Sequence, residues 1–199
     1  MTTEREKAKQ RKRQELLAAA SKIMADVGFA RTRLSDVGAA VGISGPGLYR
    51  YFDSKETLLS EVLVDISTRL LDGALAILAE HRTGEDAALD DPSAVLHDLI
   101  DFHVEICMTE PDRVRVQERE RWNIVAVDSA KIRSLQRSYM NVWTDVLVQV
   151  RPDLERSTAR MRVQLTAGLI ASSRYVNHWA VPDVLRAQLH QMAVAAILV

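Results

Sequence analysis

An all-α fold is predicted by three features of the 199-residue sequence. Helix punctuation is scarce, with 8 Gly and 5 Pro in the whole chain. Aromatic residues make up only 5% while Ala, Leu, Val and Arg recur throughout, a composition that favours helices over a many-stranded sheet. Apolar residues also repeat every three or four positions over long uninterrupted segments, the 3.6-residue period of amphipathic helices. The 47% apolar and 27% charged content is that of an ordinary globular chain, and the length fits one or two domains.

The first helix is expected over Glu4 to Val27, a stretch without Gly or Pro in which Leu16, Leu17, Ala20, Ile23, Met24 and Val27 form one stripe. Gly28 supplies its stop. A short second helix carries Leu34, Val37, Ala40 and Val41, starting from polar Thr32 or Arg33 and ending at Gly42. Ser44 then caps a third short helix running to about Phe52, because its hydroxyl can accept an orphan N–H of the first turn. Asp53 or Ser54 caps a fourth helix from Lys55 to about His81, lined by Leu58, Leu59, Val62, Leu63, Ile66, Leu70 and Leu71. Arg82 to Pro92 breaks the period with an acidic, polar loop that marks a seam between domains. Helical periodicity returns at roughly 93–109, 111–126, 129–150, 153–180 and 183–199. Pro111, Pro152 and Pro182, each followed by Asp, stand where helices are expected to begin.

Charge is unevenly distributed. Residues 1–55 hold 11 Lys/Arg against 6 Asp/Glu, a balance of +5, and residues 56–199 hold 15 against 21, a balance of −6. One end of the molecule therefore attracts polyanions. A single cysteine, Cys107, excludes an internal disulfide framework and a multi-thiolate zinc site. The longest uncharged stretch, Ala187 to Val199, is 13 residues, short of the roughly 20 that span a membrane. With no apolar core behind the charged Met1–Lys7 start, a cytoplasmic protein without membrane attachment is expected.

Two short helices joined by a turn at Gly42 have the spacing of a helix-turn-helix, although a hairpin that only packs has the same spacing. The small residues Ser44, Gly45, Pro46 and Gly47 let the second helix approach a polyanion with its positive dipole end. Tyr49, Arg50 and Tyr51 follow with groups that hydrogen-bond phosphate oxygens or, for Arg50, a guanine edge. The run Phe29 to Leu59, and above all Leu48-Tyr49-Arg50-Tyr51-Phe52-Asp53-Ser54-Lys55-Glu56, closely resembles the DNA-binding domain of the tetracycline-repressor (TetR) family, with its L-Y-x-[HY]-F-x-[SN]-K-E pattern.

That resemblance covers roughly the first 60 residues and implies a reading domain at 1–54 and a helical ligand-binding and dimerisation domain at 55–199. It implies double-stranded DNA as partner, a palindromic operator bound by a homodimer, and release by a small-molecule effector. By the same resemblance Thr32 and Arg33 begin the phosphate-contacting helix, Gly45 to Tyr51 lies in the major groove, Tyr49, Tyr51 and Lys55 contact backbone, and base reading falls to Ser44, Pro46, Gly47 and Arg50. Gly45-Pro46-Gly47 departs from the family in offering few side-chain donors, so sequence preference is expected to draw on DNA shape and on the basic arm, with Lys7, Lys9, Arg11, Lys12 and Arg13 adding salt-dependent affinity.

In the second domain the resemblance implies that the last two helices pair across a two-fold axis. Leu185, Leu189, Met192, Ala193, Ala196 and Ile197 make one stripe, and Leu165, Leu169, Ile170 and Val176, beside small Ala167, Gly168 and Ala171, make the other. Candidate effector contacts are polar or amphipathic groups on apolar faces. His103, beside Phe102, is the odd polar residue on the Leu96–Ile100–Cys107 stripe. Trp122, Tyr139 and Trp143 can wall a pocket or simply fill the core, as can Trp179. Arg174 and His178, with Asn177, can orient a polar head group or face solvent. Glu118-Arg119-Glu120-Arg121 reads as a solvated, salt-bridged face.

Catalysis is not expected, and neither is a cofactor or a metal. His97, Asp101 and Glu105 recur at four-residue intervals on the polar face, but no paired Glu-x-x-His accompanies them and no phosphate-binding or nucleophile-elbow motif occurs. A purely structural helical scaffold would leave the Leu48–Glu56 run and the basic N-terminus without a role.

Overall fold

The computed structural model describes residues 3–82, 89–120 and 126–199, and among them the regular elements are helical. Helix α1 spans Glu4–Val27, α2 Leu34–Ala40, α3 Gly45–Leu48, α4 Lys55–Glu80, α5 Pro92–Thr109, α6 Pro111–Arg119, α7 Ala126–Val150, α8 Arg156–Ala171 and α9 Pro182–Leu198. None is long and apolar enough to cross a membrane.

Caps explain the boundaries. Thr3 and Glu6 close a capping box at the start of α1, and Gly28, at φ 87°, ends it with its N–H on the Met24 carbonyl. The Ser44 hydroxyl accepts from the Gly47 N–H at the start of α3, the Ser54 hydroxyl from the Thr57 N–H at the start of α4, and the Asp91 carboxylate from Ser93 and Ala94 at the start of α5.

Three segments differ from the sequence expectation. Helix α3 ends at Leu48 rather than near Phe52, because Gly45-Pro46-Gly47 is a weak helix former and the chain tightens into turns where Arg50 N–H bonds Gly47 O and Tyr51 N–H bonds Leu48 O. Helix α6 ends at Arg119, short of residue 126. Helix α8 starts at Arg156, after a turn in which Arg151 grips the Asp153 carboxylate, and it gives way at Ser172–Tyr175 to a 3-10 turn. There the Ser172 hydroxyl donates to Leu169 O at 2.6 Å and competes with the helical ladder.

The chain forms two compact units. One comprises residues 1–66 with 112–132, and the other 67–111 with 133–199, so α4 contributes to both and the first unit runs past the expected limit at 54.

The first unit is built on Leu16, Leu17, Ala20, Met24, Val37, Leu48, Phe52, Leu58, Leu59, Val62 and Val116. Polar struts tie its helices together. Arg13 of α1 pairs with Glu61 of α4, donates to Tyr51 O and lies over the Phe52 ring. Asp65 of α4 accepts from Gln14 of α1 and pairs with Arg113 of α6. Arg119 and Glu120 correct the expectation of a solvated face: Arg119 donates to the Met24 and Ala25 carbonyls at the end of α1, and buried Glu120 accepts from the Phe29 N–H and from Arg119. Arg121 lies outside the described residues. Arg119→Ala is expected to cost about 1–2 kcal/mol of stability in this unit, through the loss of its bonds to Ala25 O and to buried Glu120, measurable as a lower urea midpoint.

In the second unit α5 packs against α8 and α9 through Leu96, Leu99, Ile100 and Val104 of α5 and Leu189, Ala193 and Ile197 of α9. The polar face of α5 is partly exposed and pairs with α4 and α9. His97 faces His190 of α9 at 3.1 Å, His190 is bonded to Asp101 at 2.5 Å, Glu105 pairs with Arg186, and His81 of α4 bonds Asp98. Among the described residues no group of three or more metal-binding side chains converges. The expected stripes of α8 and α9 divide in two. Ile170, Leu185, Leu189, Ala193 and Ile197 face inward, whereas Met161, Leu165 and Gly168 of α8 and Val184 and Met192 of α9 are exposed, Leu165 at 67%.

Candidate nucleic-acid interface and the polar cluster of the helical core

The turn between α2 and α3 is set by backbone closeness. Gly38 donates space where a Cβ would lie 2.8 Å from the Ile43 carbonyl, and the Ile43 N–H bonds Gly38 O at 2.8 Å. Gly42, at φ 72°, takes the left-handed conformation that the reversal needs.

This turn presents Arg33, Ser44, Pro46, Tyr49 and Arg50 to solvent, Tyr49 with 58% exposure. Gly45 opens α3, and Gly47 fits under Ile43, whose methyl a Cβ there would meet at 2.7 Å. The remaining three expected contacts are engaged by the fold. Thr32 is buried with its hydroxyl donating to Gly28 O at 2.8 Å, Tyr51 packs half-buried on the core, and Lys55 donates to Ala30 O while lying 4.5 Å over the Phe29 ring. Thr32 and Lys55 thereby secure the segment between α1 and α2.

The basic arm divides in the same way. Arg13 and Lys12 are engaged, Lys12 by Glu15 and Val41 O. Lys7 pairs with Glu4. Arg5 and Lys9 instead line a groove with Lys12, Arg50, Tyr51 and Gly47, so cations of α1 and of the turn after α3 border one channel. Arg5→Gln with Lys9→Gln is expected to lower the logarithmic salt slope of duplex binding by up to about 2, at about 0.9 per phosphate contact. Arg50→Ala, being exposed and outside the core, is expected to weaken binding without lowering the unfolding midpoint.

In the second unit His103, Tyr139 and Trp143 come together in the interior. The Tyr139 hydroxyl donates to His103 Nδ1 at 2.9 Å, and the two rings sit 5.8 Å apart. The Trp143 ring stands edge-on to both, at 5.8 Å from His103 and 6.1 Å from Tyr139. His103 also bonds the Ala167 backbone of α8. Burial pushes the His103 pKa down to about 4, despite that bond, so the imidazole is neutral at pH 7, and burial pushes the Tyr139 hydroxyl well up. The Trp143 indole in turn hydrogen-bonds the Tyr139 hydroxyl, and among the described residues the buried hydroxyls of Ser60, Thr166 and Ser173 keep no hydrogen bond. Its place on an apolar stripe singled out His103, and size with an amphipathic character singled out Tyr139 and Trp143, whereas Thr166 and Ser173 read as ordinary helix residues.

The other expected effector contacts are placed elsewhere. Phe102 packs on α4, its ring where a Cβ on Gly73 would sit 2.1 Å away. Arg174 stacks on Tyr175 at 4.5 Å and bonds its hydroxyl, and His178 is exposed. Trp122 lies outside the described residues.

Residues 16–62 match the family described as bacterial regulatory proteins, tetR family. The chain is 27% identical over 151 residues to the HTH-type transcriptional repressor KstR2 of Mycolicibacterium smegmatis, covering 72% of this chain and 70% of that one. It is 27% identical over 137 residues to KstR2 of Rhodococcus jostii, spanning 68% of this chain and 63% of that relative. Among solved structures, a TetR-family transcriptional regulator from Bordetella parapertussis superposes with a TM-score of 0.75 at 25% identity, over 91% of this chain and 93% of that one.

Proposed function

We propose that this chain is a repressor of the tetR family of bacterial regulatory proteins, whose model its residues 16–62 match, and that its dimer places two α3 helices in successive major grooves of a palindromic operator and is released by a small molecule bound within its helical core. The observation that carries the reading is the exposed Arg33–Ser44–Tyr49–Arg50 face, held by an apolar core behind it and bordered by Arg5 and Lys9.

Phosphate contact falls to Arg33, Tyr49 and the arm, and base contact to Ser44, Pro46 and Arg50. Thr32, Tyr51 and Lys55 act as positioning residues. Gly45 and Gly47 let the helix backbone approach the groove. Residues 1–54 carry the contacts to DNA, and residues 55–199 carry effector binding and dimerisation. Exposed Met161, Leu165, Gly168, Val184 and Met192 form the face that pairs with a second copy, with the small Gly168 allowing close helix approach. Successive half-sites then lie about 34 Å apart along the duplex, or a multiple of it.

The effector acts by shifting the population of conformations. Its site is the His103–Tyr139–Trp143 cluster. Phe102, the neighbour of His103, seats directly on Gly73 of α4, so displacement of α5 at this point presses on the helix that continues to Lys55.

The direct test is enrichment of genomic fragments by the purified protein at about 150 mM salt, where non-specific phosphate binding is weak, followed by footprinting. A protected palindrome is expected, lost in Arg50→Ala with Tyr49→Ala. Enrichment indifferent to sequence would sink the reading.

A further inference from the structure

We propose that Arg13 is a positioning residue for operator reading: without touching a phosphate, it fastens the chain just after Arg50 to α4 and so sets which bases the exposed Tyr49–Arg50 turn can reach. The inference rests on the repressor reading above and adds to it a residue that governs sequence preference from outside the groove.

All three guanidinium nitrogens are engaged within the first unit. Nε donates to Glu61 of α4 at 2.8 Å, Nη2 pairs with the other oxygen of the same carboxylate, and Nη1 donates to the Tyr51 carbonyl at 3.1 Å. The group also lies over the Phe52 ring, 4.7 Å from its centroid. A planar guanidinium serves a carboxylate, a carbonyl and an aromatic face in one fixed geometry, which a lysine ammonium does not reproduce. Tyr51 is thereby held at both ends, its N–H on Leu48 O at 2.8 Å and its carbonyl on Arg13. Tyr49 and Arg50, both exposed, are the two residues between those anchors.

Two observations separate this role from phosphate contact. The groove bordered by Arg5, Lys9, Lys12 and Arg50 does not include Arg13 among its lining residues. The side chains of Arg13 and Glu61 are only 28% and 30% exposed, and Glu61 already supplies the negative charge that a phosphate would offer. Arg13 is also the middle of three consecutive α1 side chains with partners on other elements. Lys12 donates to the carbonyl of Val41, which ends α2, and Gln14 donates to Asp65 of α4 at 3.1 Å. Successive helix residues point about 100° apart, so a single turn of α1 ties α2, the turn after α3 and α4 to one another. A shift of α4 at Glu61 is therefore felt beside Arg50 through one side chain.

The test measures the affinity of the full chain and its variants for the footprinted operator and for a random duplex of equal length, each over a range of salt. Arg13→Lys keeps the charge but not the fork, and its operator affinity is expected to fall at least about tenfold, within the range that one base-contacting pair contributes, with random-duplex affinity and salt slope unchanged. Glu61→Ala is the sharper arm. Removing a carboxylate from a DNA-binding unit strengthens phosphate attraction, whereas releasing Arg13 from its anchor weakens operator binding, and the weakening is expected. Because Arg13 acts through the turn that carries Arg50, Arg13→Lys should cost less than about threefold once Arg50→Ala is present. A salt slope lower by about 0.9 in Arg13→Gln, with equal losses on both duplexes, would make Arg13 a phosphate contact and overturn the proposal. Full operator affinity in Arg13→Lys overturns it as well, and so does tighter operator binding in Glu61→Ala. A lowered unfolding midpoint with an unchanged ratio of operator to random affinity marks a merely structural strut, with the same consequence. A wild-type chain that does not distinguish operator from random duplex overturns the repressor reading itself, and this assignment with it.

Discussion

Gly38→Ala is expected to collapse the reading head while leaving the second unit folded. The added Cβ would lie 2.8 Å from the Ile43 carbonyl oxygen, a backbone atom. It cannot step aside cheaply, because the Ile43 N–H is bonded to Gly38 O at 2.8 Å and the next residue, Ser44, caps α3. Overpacking of this kind costs about 1–3 kcal/mol, here at the upper end because the obstacle is main chain, and that is a large part of a typical stability of about 5–15 kcal/mol. Denaturant unfolding should show a lowered midpoint together with a lost operator footprint. Gly47→Ala is the informative contrast. Its Cβ meets a methyl of Ile43 that can rotate away, so a milder loss of stability is expected there. An unchanged midpoint in Gly38→Ala would show that α2 and α3 are not held as close as the structure has them.

Acid is expected to destabilise the second unit through His103. Its folded pKa of about 4 lies below the ordinary imidazole value, so the native state binds fewer protons than the unfolded chain between about pH 6.5 and pH 4. Stability from this group is therefore fully present above about pH 6.5 and is lost progressively as pH falls towards 4. A depression of two to three pH units corresponds to about 3 kcal/mol over that window, and the 7% exposure of the side chain leaves little solvent screening to reduce it. Thermal unfolding at a series of pH values should show the loss in the wild-type chain and a flatter profile in His103→Gln, which keeps an acceptor for the Tyr139 hydroxyl. An equally steep acid loss in His103→Gln would place its origin in other groups.

Most of the helices were legible because their causes are local. A stripe every 3.6 residues, a cap such as Ser44 or Ser54, and a stop at Gly28 act within one or two turns, and α1, α2, α4, α5 and α9 begin and end within two residues of expectation. The exposure of Arg33, Tyr49 and Arg50, the proposed reading residues, was legible for a related reason, since the composition of a short run names them and no distant residue competes for them. Thr32, Lys55 and Arg13 were not separable from them by sequence. Their charge and polarity suit phosphate equally well, and only the folded chain brings Gly28 O, Ala30 O and Glu61 within their reach.

The sequence by itself determined an all-α chain with a basic, helix-turn-helix N-terminus, because periodicity, capping chemistry and charge are properties of neighbouring residues. The tertiary structure alone decided which polar groups are spent on the fold. Arg119 and Glu120 sit on the end of α1 more than ninety residues away in the chain, and the polar face of α5 is answered by His190 and Arg186 of α9. It also decided that the Thr166 and Ser173 hydroxyls are buried without partners. Whether a hydrogen-bonding group is satisfied depends on atoms brought together by long-range packing, and no local pattern in the sequence encodes that.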